Sequence, residues 1–317
     1  MKNQKQYVPV ILVGLCLSLG FANEVCGGNE YGLPGEEFSS VRFPLEQSWI
    51  VESNPACLAL EEGKRVGASV VPGFESSLWS SVYFFGPIKR DEDASGMLKG
   101  STGIGFFLHN VSAGDLVGRG PNAEPLGNFS FSKTRITASY GQTVVPRLSA
   151  GISVKFAYYS TSKIENANLS GISKTAFGTD IGICYQPTPS ANLALSICNF
   201  PFRPDVTLDA RKEEWPLTVH VDAQMVLQER RLLLTAGMDY LRNDQGDGRD
   251  IQRIEGGVNY TIHSNLTVGL GYGNNEALGG IRITYHNLGI QYSISSADLG
   301  LLHYIGISYG FGARSGA

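Results

Sequence analysis

The sequence predicts an all-β fold, an antiparallel up-and-down transmembrane β-barrel of about fourteen strands. Three observations predict it: apolar and polar residues alternate along most of the chain, long polar connections alternate with short turns, and the last strand ends in aromatic residues. Besides helices, only closed sheets satisfy every backbone hydrogen bond inside a bilayer. The predicted organisation is a signal peptide at residues 1–22, a plug or periplasmic segment at 23–63 and the barrel at 64–317.

Composition and charge agree with a barrel better than with a soluble enzyme. The 317 residues include only 17% charged residues and 39 glycines, whereas about a quarter of the residues of a soluble domain are charged. The formal net charge of −4 offers no basic surface, which excludes nucleic acid as a partner.

The N-terminus has the features of a secretory signal peptide. Lys2 and Lys5 precede an apolar stretch at residues 8–21, and a small residue follows at Ala22. The stretch is short for a membrane-spanning helix, which needs about 20 apolar residues. We therefore expect cleavage after Ala22 and export of the mature chain to a Gram-negative outer membrane.

The hydrophobic period is two from about residue 64 onward, as in β-strands with two different faces. Between residues 217 and 227, Val219 and Val221 share one face, while His220 and Asp222 share the other. Many such segments have about ten residues, the length of a tilted membrane-spanning strand. The predicted strands lie at residues 65–73, 78–87, 101–109, 132–144, 148–162, 173–186, 191–200, 215–228, 231–243, 252–263, 265–274, 277–286, 288–296 and 301–311.

The connections differ systematically in length, as outer-membrane barrels require, with long loops outside and short turns in the periplasm. If the N-terminus is periplasmic, the long outward connections are residues 110–131, 163–172, 201–214 and 244–251. The short inward turns are residues 145–147, 187–190, 229–230, 264 and 287. The long inward connection at residues 88–100 is an exception to this pattern.

The last strand and the tyrosines indicate contact with lipid and with assembly machinery. Residues 304–311 combine glycines with aromatic residues, and they resemble the C-terminal signal that the outer-membrane assembly machinery reads; an ordinary amphipathic strand is the alternative. Tyrosines near strand ends on the apolar face suit the interfacial girdles of a barrel. These are Tyr158, Tyr185, Tyr240, Tyr260, Tyr272, Tyr285 and Tyr309.

The opposite face carries charged residues that lipid would not tolerate, so we expect it to face the barrel lumen. Two interpretations stay open, a selectivity or ligand-binding lining and a structural network that contacts the plug. The lumen-lining and plug-contact residues predicted in this way are Lys155, Asp180, His220, Asp222, Asp239, Arg253, Glu255 and Arg282.

No motif predicts an enzyme. His220 and Asp222 share a strand face, but the chain has no Gly-x-Ser-x-Gly elbow and no serine placed beside them by sequence. No His/Cys cluster has the spacing of a zinc site, and no helix is predicted after the glycines of residues 269–273, as a nucleotide loop would need. The sequence therefore predicts no catalytic residues, no metal and no cofactor.

The cysteines of the mature chain could form disulfides in the oxidising periplasm. Cys184 and Cys198 fall in successive predicted strands on the polar face, symmetric about residue 191. One interpretation is that they face each other across the hairpin and form a disulfide. A second possible disulfide joins Cys26 to Cys57 within the predicted plug segment. The alternative to both disulfides is that the cysteines are buried free thiols.

One short motif resembles a known family. Residues 54–59, Asn-Pro-Ala-Cys-Leu-Ala, stand just before the first predicted strand, and they are similar to the Asn-Pro-Ala-Gly-Leu-Ala segment of FadL/PorV-type barrels. Residues 37–40 also resemble part of the FadL plug. The chain departs from the family pattern at Cys57, where glycine is usual, and in having no glycine between Ser40 and Ser53.

The resemblance implies fourteen strands and an N-terminal plug in which Asn54, Pro55 and Ala56 form the plug motif. It also implies transport of hydrophobic small molecules across the outer membrane. A PorV-like component of a type IX-like protein secretion system, with secretion-system proteins as partners, is the first alternative. A non-transporting structural surface barrel is the second, since a shared fold does not carry a function with it.

Overall fold

The computed structural model describes residues 53–311 except short segments of the connections. Those segments are residues 74–76, 94–96, 120–124, 163–170, 172, 201–204, 209–210, 215–216, 229–230, 243–250, 274–275 and 298–299. The predicted signal peptide, Cys26, the segment at residues 37–40 and most of the predicted plug lie outside the described residues. No helix in the described part of the chain is long and apolar enough to cross a membrane.

Within the described residues, fourteen antiparallel strands close into a barrel in which sequential strands are neighbours and the first strand pairs with the last. The predicted fold class is confirmed. The barrel strands are β1 (Lys64–Pro72), β2 (Ser77–Lys89), β3 (Thr102–Arg119), β4 (Pro125–Val145), β5 (Leu148–Thr161), β6 (Ser173–Thr188), β7 (Ala191–Cys198), β10 (Leu217–Leu227), β11 (Leu232–Arg242), β12 (Ile251–His263), β13 (Leu266–Gly273), β14 (Glu276–Tyr285), β15 (Leu288–Ala297) and β16 (Gly300–Phe311).

Two further short strands, β8 (Asp205–Leu208) and β9 (Arg211–Glu214), pair with each other in the connection between β7 and β10. A short 3-10 helix at Pro55–Leu60 precedes the first barrel strand.

The outer surface of the barrel is apolar. On β5, Ile152 and Phe156 are 48% and 46% exposed, whereas Ser153 and Lys155 on the opposite face are 0% and 8% exposed. The same alternation recurs on β16, where Leu301 and neighbouring isoleucines point outward. Soluble monomers rarely expose contiguous apolar patches beyond a few hundred Å², so a continuous apolar belt around a closed barrel is a lipid-facing surface.

The two ends of the barrel differ in their connections. At one end, here called the turn end, tight turns join most neighbouring strands, with residues 90–101 as the exception, and Arg147 and His286 adopt left-handed φ angles of 73° and 53° there. The chain enters β1 and leaves β16 at this end as well. At the opposite loop end, the connections β5–β6, β7–β10 and β11–β12 are longer, whereas two residues separate β13 from β14 and β15 from β16. The predicted alternation of connection lengths therefore holds for most connections but not for all, and the periplasmic position of the short turns stays a prediction.

The predicted girdle tyrosines fall near both ends of the barrel. Tyr185 and Tyr285 lie near the turn end, and Tyr158 and Tyr272 near the loop end. Their side chains are 42–67% exposed, and they share the outer face with the apolar belt. Tyr240 is more buried than these four. Amphipathic rings in these positions suit the two lipid–water interfaces.

The predicted long loop at residues 110–131 is wrong in its extent. Strand β3 continues to Arg119 and β4 begins at Pro125, and the two remain paired beyond an irregularity between Ala113 and Leu116. This extension carries polar residues such as Ser112 and Asn128 because it projects beyond the apolar belt. Alternation, the signal used to find strands, fades where neither face meets lipid.

Candidate functional site: the plug turn and the inner wall

The predicted plug motif forms the start of a tight helical turn inside the barrel. Asn54 caps the 3-10 helix: its side-chain oxygen accepts a hydrogen bond from the backbone N–H of Ala56 at 3.0 Å. Pro55 occupies the first helical position, where its missing N–H and fixed φ cost nothing. Asn54, Ala56 and Leu58 are all 0% exposed. Residues 53–60 are called the plug turn below.

Hydrogen bonds attach the plug turn to the barrel wall. The side-chain amide of Asn54 donates to the backbone carbonyl of Ile183 at 3.1 Å. From β7, the hydroxyl of Ser196 donates to the carbonyl of Ser53 at 2.8 Å. Asn54 thus bonds both to its own turn and to β6, which fixes the position of the turn along that strand.

The other end of the plug turn is held from the turn end of the barrel. Arg90, just after β2, donates to the carbonyl oxygens of Leu60 and Glu61 at 2.9 and 2.6 Å. Arg90 also pairs with Glu92 and lies 3.8 Å from Glu62. One guanidinium therefore satisfies carbonyls that the end of a helical turn would otherwise leave without partners.

A row of four glycines forms the seat of the plug turn. Gly103, Gly141, Gly151 and Gly182 lie side by side on β3, β4, β5 and β6 in successive register pairs. A Cβ added at any of them would come within 3.0 Å of an atom of the plug turn. The nearest atoms are backbone atoms at Gly103, Gly141 and Gly151 and side-chain atoms of Asn54 at Gly182, and only glycine leaves room for so close an approach.

The same cross-strand row continues with polar side chains. Gly182 pairs with Ser196, Ser196 with His220, and His220 with Asp239. Nδ1 of His220 lies 2.5 Å from Oδ1 of Asp239. Ser196, the register partner of His220, donates to the carbonyl of Ser53 at 2.8 Å, and the thiol of Cys198 donates to the same carbonyl at 3.9 Å. The predicted residues His220 and Asp239 thus continue the row of inner-face residues that contacts the plug turn.

Lys155 and Asp180 form a buried ion pair on the same side of the barrel. Nζ of Lys155 lies 2.7 Å from Oδ1 of Asp180, and the carboxylate is completely buried. The backbone N–H of Asn199 also donates to Oδ1 at 2.9 Å. Charges buried in this way are tolerated because each has a close partner.

Of the other four predicted lumen residues, Asp222 also lies near the plug turn. It is 9% exposed and pairs with Ala194, which belongs to one buried cluster with Cys57 of the plug turn. Arg253, Glu255 and Arg282 are partly buried on β12 and β14, and their neighbours along the strand, such as Ile254 and Ile281, face outward. The structure therefore gathers Asp180 with its partner Lys155, His220, Asp222 and Asp239 on the side of the plug turn and leaves Arg282 on another part of the wall.

Two apolar clusters also lie on the inner face of the barrel. The first consists of Phe131, Ala157, Tyr159 and Ala176, with Leu116 packed against it, towards the loop end. In the second, Leu58 of the plug turn contacts Tyr83, Phe85 and Phe107. The ring centroids of Phe85 and Phe107 are 6.3 Å apart in a stacked arrangement. The inner wall is therefore not uniformly polar.

The predicted disulfide between Cys184 and Cys198 is wrong. Both thiols are free and buried, and the register pairs Cys184 with Ala194 and Cys198 with Asp180. The β6–β7 turn is centred nearer residue 189 than residue 191, so the two cysteines are displaced along the hairpin rather than opposed. A disulfide needs Cα atoms less than about 7 Å apart with converging Cβ vectors.

Sequence reasoning missed the glycine seat and the role of residues 90–101. That connection folds back at the turn end, where Leu98 is 1% exposed and its carbonyl accepts a hydrogen bond from the N–H of Arg147 at 3.1 Å. The signal in the sequence that could have revealed this role was the length of the connection, which exceeds that of the other predicted inward turns. Frequent glycine offered no comparable signal, because barrels also use glycine for curvature.

Comparisons with solved structures agree with this architecture. The chain is similar to a Pseudomonas aeruginosa FadL homologue (12% identity, TM-score 0.60, covering 83% of this chain and 94% of the other). It is also similar to the monoaromatic hydrocarbon channel CymD (13%, 0.59, 85% and 94%) and to the Pseudomonas putida toluene transporter TodX (12%, 0.53, 83% and 92%).

The sequence matches no protein-family model and no curated protein sequence. The PorV half of the expected resemblance has no support from the neighbours named above. At these identities the likeness concerns the fold. With its apolar belt and closed fourteen-stranded wall, the chain is an outer-membrane β-barrel with the fold of the FadL-type hydrocarbon channels.

Proposed function

We propose that this barrel transports hydrophobic small molecules across the outer membrane. The observation that carries the proposal is the pair of apolar clusters on the inner wall, since a channel for hydrophilic solutes needs a polar lumen. Ligand sites for apolar molecules are lined by apolar and aromatic side chains, with a few polar groups that orient the ligand.

The cluster towards the loop end is the entry surface in this proposal. Phe131 and Tyr159 contribute buried aromatic rings to this cluster, and Nζ of Lys133 lies 4.9 Å from the ring centroid of Tyr159. The cation supplies a polar group beside an apolar surface, an arrangement that suits a ligand with an apolar body and a polar or aromatic end.

The second cluster joins the proposed route to the plug turn. Leu58 belongs to the plug turn and contacts rings of β2 and β3, so a ligand that displaces these rings would also disturb the turn. The neighbours named above, described as hydrocarbon channels and a toluene transporter, support the same chemical class. The described strands form a closed sheet, so the proposal does not rest on a lateral opening between strands.

The test is uptake by cells that carry the barrel as their main route for hydrophobic compounds. We expect Phe131→Asn and Phe107→Asn to reduce uptake of a radiolabelled monoaromatic hydrocarbon about tenfold, with Thr267→Ala on a distant part of the inner wall as the matched control. Lipid or hydrocarbon should also co-purify with the wild-type protein and be identified by mass spectrometry.

Equal uptake with and without the wild-type barrel, together with no co-purified apolar molecule, would reject the proposal. Stable co-purification of a secretion-system protein would then favour the PorV-like alternative. That alternative and the structural surface barrel stay predictions of the sequence.

A further inference from the structure

Two buried cysteines meet where the plug turn contacts β6. Cys57 of the plug turn and Cys184 of β6 are 3% and 1% exposed and belong to one cluster with Ala56 and Ala194. Both side chains are free thiols in the structure, and Cys184 is the largest cause of the raised pKa of Cys57. The sequence predicted other partners for both residues.

The docking of the plug turn fixes this contact. Asn54 rests against Gly182 and bonds to the carbonyl of Ile183. Cys184 is the next residue of β6 on the same inner face, and Cys57 lies three residues after Asn54. Both thiols are thus carried by backbone that several hydrogen bonds hold in place.

We propose that Cys57 and Cys184 form a disulfide in the exported protein, which ties the plug turn covalently to the barrel wall. The bond forms between the two Sγ atoms as each thiol loses its proton and the pair gives up two electrons. The acceptor is the disulfide of a periplasmic thiol oxidoreductase, which is reduced to a dithiol. The proposal requires export to the periplasm but does not depend on which molecule the barrel transports.

The burial and the raised pKa of the docked Cys57 thiol indicate when the disulfide must form. The neighbouring Cys184 and burial both raise the pKa of the Cys57 thiol well above its usual value. Because the thiolate is the species that exchanges with disulfides, a docked and buried Cys57 reacts slowly. Oxidation therefore accompanies assembly of the barrel, and the finished bond is shielded from reductants.

Cys198 supplies a matched control. It lies on the neighbouring strand and is also buried, but it contacts Ser53 and His220 and pairs with Asp180 in the register. A Cys198→Ala variant should keep the linked pair, whereas Cys57→Ala and Cys184→Ala should each lose it and leave the other thiol free.

The test maps the cysteines of the full-length protein in isolated outer membranes after free thiols are trapped with N-ethylmaleimide. Trypsin should release one disulfide-linked species that joins residues 43–64 to residues 175–211. Since the second peptide contains both Cys184 and Cys198, further cleavage at Tyr185 by chymotrypsin is needed to assign the bond. Reduction before digestion should abolish the linked species.

Maleimide on both Cys57 and Cys184 in most molecules would overturn the proposal, as would a linkage of Cys57 to Cys26 or of Cys184 to Cys198. The wild-type map needs no variant, so a variant that fails to assemble does not affect the conclusion. Uptake of hydrophobic compounds is a separate readout, and its loss or retention leaves the mapping result unchanged.

Discussion

Glycines on two parts of the barrel have different surroundings. At Gly141 and Gly151, under the plug turn, an added Cβ would come within 3.0 Å of backbone atoms of the turn. At Gly256 and Gly279, which share the outward faces of β12 and β14 with Ile254 and Ile281, its nearest neighbours would be 3.6 and 3.7 Å away, which is ordinary contact. Glycine is thus obligatory under the plug turn and replaceable on the outer surface of these distant strands.

The docked plug turn distinguishes one wall of the barrel from the rest of the described residues. Strands β3 to β7 carry the glycine seat, the buried Lys155–Asp180 pair and the cysteines, and all of these surround the plug turn. The wall around Arg282 is a barrel wall without a docked turn in the described residues. Variants that separate the two walls test whether the seat has a function of its own.

The largest effect is expected from Gly151→Val. Its side chain would overlap Ala56 and Pro55, and because these are backbone atoms, the plug turn must leave its seat. We expect outer-membrane preparations of the variant to lose protease protection of residues 53–63, while the barrel still shows heat-modifiable migration.

Gly256→Val, on the outward face of β12, places the same side chain away from the plug turn and should retain protection as in the wild type. Equal protection of residues 53–63 in the two variants would show that the seat does not hold the turn.

A smaller effect is expected from Asp180→Asn. The change leaves Lys155 buried without its carboxylate partner, which costs about 3–5 kcal/mol for a buried pair. The free energy of unfolding, measured by urea titration in detergent micelles, should fall by that order. Replacing both residues, as Lys155→Met with Asp180→Leu, should restore most of the loss, because no unpaired charge then remains.

Arg282→Gln is the comparison on the other wall. Its partly buried side chain should contribute about 1 kcal/mol or less. A loss as large as that of Asp180→Asn would contradict the distinction between the walls.

The smallest effect is expected at Glu61, the residue that follows the plug turn and caps its helix. Burial raises the pKa of Glu61 to about 7, against the opposing influence of Arg65 and Arg90. Because the docked state holds the proton more tightly than the undocked state, docking is most favourable below about pH 4.5 and weakens as the pH rises to about 7.

Since Glu61 is only partly buried, the effect should be of the order of 1 kcal/mol. Protease protection of the turn, measured from pH 5 to pH 8, should fall in the wild type and stay level in Glu61→Gln. Glu62→Gln, an exposed neighbour, should behave as the wild type. If protease protection in the wild type did not change between pH 5 and pH 8, the ionisation of Glu61 would not be coupled to docking of the plug turn.

The sequence predicted the strands well because alternation is a local property. The predicted limits of β5, 148–162, differ by one residue from the observed Leu148–Thr161, and those of β16, 301–311, differ by one residue from the observed Gly300–Phe311. The prediction failed at β3 and β4, where the paired strands leave the apolar belt. It also failed at the cysteines, because their opposition depends on the centre of a turn rather than on spacing alone.

The sequence by itself determined the barrel, its closed strand order and the face of each strand that meets lipid, since these follow from residues within one strand and the next. The tertiary structure decided which glycines form a seat, which thiols meet and which charges gather around the plug turn. Those contacts depend on cross-strand register and on the position of a segment distant in sequence. Neither property produces a periodic pattern of residues in the sequence.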